Sequence, residues 1–200
     1  MADKLGAEFK SSGITAKTPG NIPFGAGTIH RGLKFDTATK KWNFAESLAG
    51  ATSGGSKFEI TPEITQVDID GALVAVQELD VKNGETAKME INLAELTPEI
   101  IQTSVIGQTV NSNIDGYNLI ESKSNIEKGD YWDNIAFVGK TLTGTPIIVI
   151  LDNALCTSGL SIEGKNKEAG VGKYTFECRQ TIEGDLTVLP YHIYYPTPTA

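Results

Sequence analysis

The sequence predicts a mainly β domain, a sandwich or barrel-like body with one flanking α-helix at about residues 97–107. Three observations carry this prediction. Short segments alternate apolar and polar residues at the period of two that a half-buried strand requires. Gly, Pro, Asn and Asp recur as turn signals about every ten residues. Only one segment combines a helix start signal, an apolar face and a stop.

The chain has 200 residues, 40% hydrophobic and 21% charged, enough for one sizeable core. The expected organisation is a flexible N-terminal arm over residues 1–25 and a single domain over residues 26–200. The arm is rich in Gly, Ser, Thr and Pro, and Pro19, Gly20 and Pro23 break any regular element. Residues 27–35 alternate well enough for a first strand, and residues 36–41 supply a turn. Residues 43–56 are small and glycine-rich and are expected as an extended loop.

The next strand is expected at residues 64–70, with Val67 and Ile69 on one face and Gln66, Asp68 and Asp70 on the other. Asp70-Gly71 is a hairpin turn signal, and residues 72–77 are its expected return strand. After Asn83-Gly84, the residues Ala87, Met89, Ile91 and Leu93 alternate with Lys88, Glu90 and Asn92, giving one core face and one wet face.

The helix begins at Thr97, a good N-cap, with Pro98 at the first helical position and Glu99 near the positive end of the dipole. Ile100, Ile101 and Val105 form its apolar face, and Gly107 is placed to stop it. Residues 108–130 read as loop. Strands follow at residues 134–140, 145–156 and 171–182, and Pro190 and Pro196 bracket a short aromatic strand expected at a sheet edge.

The formal net charge of −8 is unevenly spread. Residues 1–56 carry seven basic and four acidic residues, net +3; residues 57–100 carry three and ten, net −7; residues 101–200 carry seven and eleven, net −4. An acidic centre disfavours gripping nucleic acid, which needs clustered Lys and Arg to displace counterions. The longest apolar run, residues 147–151, is strand-length and too short for a membrane helix. The N-terminus shows no secretory pattern, so Cys156 and Cys178 are expected as free thiols in the core.

Motifs for chemistry are sparse. Only His30 and His192 are available as general bases, and each lies among apolar or aromatic neighbours. The cysteines are isolated and lie near neither histidine in sequence, so no zinc spacing exists. Gly25 and Gly27 lack the third glycine of a dinucleotide fingerprint, and the glycines at 50–55 lack the Lys-Ser/Thr end of a phosphate loop. Asp68 and Asp70 are paired carboxylates, which serve acid/base work or bind a hard cation in some proteins, but here they read as solubilising residues. No enzyme activity, cofactor or metal is expected.

An ordered set of segments carries a resemblance. These are Gly27-Thr-Ile-His-Arg-Gly-Leu33, Gly50-Ala-Thr-Ser-Gly-Gly-Ser-Lys-Phe58, Pro62-Glu-Ile-Thr-Gln-Val-Asp-Ile-Asp-Gly71 and Glu85-Thr-Ala-Lys-Met-Glu-Ile-Asn-Leu-Ala-Glu-Leu-Thr-Pro-Glu99. Later come Phe137-Val-Gly-Lys-Thr-Leu142, Asn153-Ala-Leu155, residues 176–182 and Ile193-Tyr-Tyr-Pro196. Over about residues 25–196 the chain resembles the major tail, or tail tube, proteins of tailed phages and prophages of Gram-positive bacteria.

The resemblance implies a β-sandwich subunit that stacks in hexameric rings, each copy lending strands to a continuous barrel around a channel for DNA. It implies a place in the virion tail after synthesis in the host cytoplasm. The expected partners are further copies of the chain, a tape measure protein, and tail terminator or baseplate proteins, with DNA only in transit.

Within that picture Gln66, Asp68, Asp70, Lys88, Glu90 and Asn92 are candidates for an acidic lumen. Trp42, Phe44, Glu46, Leu48 and Thr52 are candidates for contact between rings, with Trp42 and Phe44 alternatively plugging the local core. The inner tube of a contractile tail shares the expected subunit. A monomeric β-sandwich binding module and a small β-fold hydrolase are the readings from other classes.

Overall fold

The computed structural model describes residues 12–164, 166, 167 and 169–197, and the first eleven residues of the expected arm lie outside that range. The arm ends sooner than composition indicated. A short helix α1 (Thr18–Asn21) leads directly into β1 (Pro23–Arg31), and the Ile22 carbonyl accepts from the Leu142 amide. Pairing of Pro23 and Phe24 with Thr141 and Lys140 satisfies the backbone of the expected flexible stretch.

A small ribbon, β2 (Phe35–Asp36) and β3 (Lys41–Trp42), is followed by the single-turn helix α2 (Phe44–Ser47). Next come the two longest strands, β4 (Thr52–Gln66) and β5 (Asp80–Leu93), and the helix α3 (Pro98–Ser104). A second ribbon, β6 (Gly107–Val110) with β7 (Leu119–Ser122), occupies part of the stretch expected as loop. The chain then lays down β8 (Trp132–Thr141), β9 (Pro146–Cys156), β10 (Ile162–Glu163), β11 (Val171–Glu177) and β12 (Tyr191–Tyr194).

All the large-sheet pairings are antiparallel. The sheet runs β1-β8-β9-β11-β5-β4, with β12 added to β9 and β10 to β11. β9 is the corner. Residues 148–151 pair with β8 on one side and β12 on the other, while Leu155 and Cys156 pair with β11. The sheet thereby folds over itself. Ile29, Ile135, Val149 and Leu151 on one leaf enclose a core with Met89, Ile91, Leu93 and Phe176 on the other. Each is nearly fully buried, and such side chains contribute about 2 kcal/mol apiece from removal of apolar area from water. A mainly β fold with a flanking helix is therefore observed.

The helix cap forms as its residues predict. The Thr97 hydroxyl accepts from the Ile100 amide at 3.3 Å, and Ile100 is buried in the core. The stop differs from expectation. The helix ends with Val105 as its C-cap, Ile106 turns into the left-handed region (φ 49°), and Gly107 opens β6. Glycine is needed at 107 for another reason. A methyl there would lie 2.8 Å from the Glu121 carbonyl oxygen of the neighbouring strand.

Both cysteines are free and buried. Burial pushes the Cys178 thiol up to about 12, and its Sγ donates to the Asp152 and Pro190 carbonyls. Burial raises Cys156 too. No helix among the described residues is long and apolar enough to cross a membrane.

Candidate functional site

The feature that dominates the surface is the β4–β5 hairpin. Its lower half is part of the body, where Ala87, Met89, Ile91 and Leu93 face the core and pair with Ile60, Phe58, Ser56 and Thr52. β11 covers the other edge of β5 only from Lys88 onward, and Cys178 closes the ladder on the Ala87 carbonyl. Residues 80–86 therefore have a free edge, and β4 is free along its outer edge as the last strand of the sheet. The upper half stands out from the body as a two-stranded ribbon with both edges open.

This arrangement corrects the reading of residues 64–77. β4 ends at Gln66, and residues 67–79 form the hairpin's loop, closed by the Val67 amide on the Leu79 carbonyl. Residues 72–77 do not return as a strand, because Asp80 is the partner of Gln66. Beyond the end of the body there is no sheet face to bury Val67 and Ile69, so their alternation has nothing to organise it. Asp70-Gly71 does turn the chain, with Gly71 at φ 93° and the Ala72 amide on the Ile69 carbonyl.

The six candidate lumen residues thus fall into three places. Lys88, Glu90 and Asn92 point together from β5, opposite to the core face. Gln66 follows Phe58 and Ile60 in the alternation of β4, which puts it on the other face, and its Nε2 donates to the Val76 carbonyl. Asp68 and Asp70 lie in the exposed loop.

Around Lys88, Glu90 and Asn92 the wet face is a grid of charge. Lys57 contacts Glu59 at 2.6 Å, Lys88 contacts Glu177 at 3.1 Å and Arg179 contacts Glu177 at 2.7 Å. Burial pushes the Glu177 carboxyl up, but the hydrogen bonds from Arg179 and Lys88 outweigh it and hold it below its ordinary value. With Lys57, Lys88, Lys173 and Arg179 set against Glu59, Glu90 and Glu177, the face over the body is balanced and not acidic. The acid is concentrated on the projecting half. Residues 63–85 carry six acidic residues and only Lys82, net −5.

The expected extended loop over residues 43–56 is also corrected. It is fastened at three levels: α2 forms, Leu48 bridges to His30 with the Ala49 amide on the Ile29 carbonyl, and Thr52 already starts β4 opposite Leu93. Of the five residues proposed for contact between rings, Trp42 and Phe44 are half-buried against Leu33, Ala136, Ile148 and Ile150 on the outer side of β8 and β9. Glu46 is exposed and accepts from Asn43, Leu48 is exposed, and Thr52 is half-buried in the ladder.

Each histidine is held by polar neighbours. His30 lies between Ser47 Oγ (2.9 Å from Nδ1) and Thr28 Oγ1 (2.8 Å from Nε2). Ser47 donates to the Asn43 carbonyl at 2.7 Å, so His30 Nδ1 donates to Ser47 and cannot also take its proton. His192 Nε2 lies 3.1 Å from Asp152 Oδ2, and its ring lies against Tyr194. Among the described residues no group of three or more His, Cys, Asp or Glu is placed to hold a metal.

No protein-family model matches the chain, and no curated protein matches it.

Proposed function

We propose that this chain is a structural subunit that assembles with copies of itself into stacked rings, forming the tail tube of a tailed phage or prophage. The single observation that supports this reading is the projecting hairpin with two free edges. An unpaired edge of this length exposes backbone donors and acceptors that a lone domain normally covers or blunts. Copies related by rotation about one axis would carry their hairpins in the same direction. β5 of one copy then runs antiparallel to β4 of the next, and closing the ring pairs the free edge of residues 80–86 with part of the outer edge of β4.

The interior such a ring offers also suits a polyanion in transit. The body face carries nearly balanced charge, most of it in its own ion pairs, and the projecting half is acidic, so neither offers the clustered cations that grip phosphate. Six copies per ring, and the tape measure, tail terminator and baseplate proteins as partners, are what the family resemblance contributes to the proposal.

Negative-stain electron microscopy of the purified protein, concentrated and held for long incubation, tests it. Hollow tubes or stacked rings are the expected outcome. A chain that stays monomeric at high concentration, with or without a tail initiation complex to nucleate it, would overturn the reading and favour the binding module. A tube found inside a sheath would assign it to a contractile tail.

A further inference from the structure

We infer that β4 receives the next copy's strand on the tip side of Pro62, with Gln66 of one copy opposite Lys82 of its neighbour and Ile64 opposite Glu85. The inference rests on the self-assembly reading above and fixes the register of the seam which that reading requires.

Backbone direction decides which residues can make such a seam. In an antiparallel ladder the peptide groups of successive residues point alternately to one neighbouring strand and to the other. The Cys178 amide donates to the Ala87 carbonyl at 3.0 Å, so the peptide groups of Ala87 point to β11 and those of its partner Ile60 to the open side of β4. By the same alternation Pro62 points to the open side of β4, and its partner Glu85 to the free edge of β5. At the other end, the Val67 amide donates to the Leu79 carbonyl at 2.9 Å. The adjoining pair, Gln66 with Asp80, therefore points outward, and so does Ile64 with Lys82. The register shift between Glu63 and Ile64 leaves Asn83 as an extra residue of β5, and with it counted the two ends agree.

The free edge of β5 thus presents Asp80, Lys82 and Glu85. The outer edge of β4 presents Ile60, Ile64 and Gln66, interrupted by Pro62, which has no N–H to offer. That gap selects the register. Level with the pairs inside one chain, or moved toward the body, the seam would set Pro62 opposite Glu85, Lys82 or Asp80 and leave a carbonyl there without a donor. Moved one step toward the tip, Gln66 meets Lys82, Ile64 meets Glu85, and Pro62 falls opposite Ala87. Ala87 needs no donor, because its carbonyl already takes the Cys178 amide. Pro62 then stands where the seam ends and β11 takes over.

The geometry of a closed barrel fits this step. A shift of about two residues per copy is about 7 Å along the strands for about 10 Å across two strand spacings, a tilt of about 35°. Strands in closed barrels tilt by about 35–45°. The side chains agree as well. Ile64 is 64% exposed in the lone chain. In the seam it lies opposite Glu85, which accepts from the Tyr191 hydroxyl at 3.2 Å and pairs with Lys82 at 3.1 Å, so the stems of these residues cover it. A second copy is the occupant because the ribbon carries two unlike open edges. Like edge on like edge would leave the other kind open, whereas β5 on β4 uses both and repeats around a ring. Residues 67–79 stay outside the seam.

The test is a ladder of single cysteines on the wet face, where Thr86 and, on β4, Glu59, Thr61 and Glu63 are exposed. Full-length Thr86→Cys is mixed before assembly with Glu59→Cys, Thr61→Cys or Glu63→Cys, and the rings or tubes are oxidised briefly. The native thiols are buried. The inferred register sets position 63 across the seam from position 86, so that mixture should give at least ten-fold more disulfide dimer than the other two. Lys82→Pro, which removes an outward donor, should abolish rings and tubes. Lys82→Ala keeps the N–H and should change the assembled fraction by less than two-fold. The cysteine ladder decides the register even where Lys82→Pro does not fold.

Rings or tubes cross-linked best through position 61 or 59 would overturn this register and leave the assembly reading standing, as would normal tubes from a folded Lys82→Pro chain. Closed dimers in place of rings, or a chain that never associates, would overturn both.

Discussion

His30 shows how much one residue can organise in a chain with few polar core groups. It is 3% exposed, shares its two ring nitrogens between Ser47 and Thr28, and ties α2 and the following segment to β1. Burial lowers its pKa from the ordinary value, with a smaller opposing effect from the Phe44 backbone. The folded chain therefore holds the neutral ring, and as pH falls the unfolded chain takes up the proton first. The stability this residue contributes is complete above the unfolded value of about 6.5 and is lost as pH falls from there toward the lower folded value. The urea midpoint should thus drop between pH 7 and pH 5, and His30→Gln should flatten that part of the profile. An unchanged slope in the variant would assign the acid sensitivity to other groups. In sequence, His30 read only as a residue among apolar neighbours. Its partners stand 2 and 17 residues away, and nothing in the spacing announces the second.

At the scale of elements, legibility followed burial. The alternation of residues 87–93 is plain because one face meets the core along its whole length, and β9 is plain because its apolar run lies at the corner of the sheet. The start of α3 is legible because its cap is local: the Thr97 hydroxyl satisfies the Ile100 amide three residues on. Thr97→Ala should cost about 1 kcal/mol, measured as a shift of the urea midpoint at unchanged slope. A larger loss would mean that the cap also fixes the angle at which Ile100 enters the core. The full length of β4 was not legible. Pro62 and a run of exposed polar residues disguise it, and it is a strand because β5 pairs with it, not because it buries a face. For the same reason the candidate lumen set was only half assembled by pattern. Lys88, Glu90 and Asn92 obey a buried alternation, while Asp68 and Asp70 lie beyond the last residue that any core constrains.

For the whole molecule, the body and the projecting hairpin divide the work of stability and association. The core joins β1, β5, β8, β9, β11 and α3, and no side chain from residues 67–79 belongs to it. The loop's hydrogen bonds stay within the hairpin. Removing the loop should therefore leave the fold intact. Gln66 and Asp80 are directly paired, so residues 67–79 can be replaced by Asn-Gly, a two-residue turn that suits an antiparallel pair. The shortened chain should unfold as cooperatively as the parent and keep its melting temperature within a few degrees, since each lost kcal/mol shifts a domain of this size by about 2–4 °C. It should nonetheless form no tubes, because the loop's four exposed apolar residues and three carboxylates are gone while the core is untouched. Circular dichroism melts and negative-stain images of the same preparation separate the two effects. Tubes from the shortened chain would show that the body's own strand edges suffice for assembly. A collapse of the melt would show that the hairpin loop is part of the folding unit and not an addition to it.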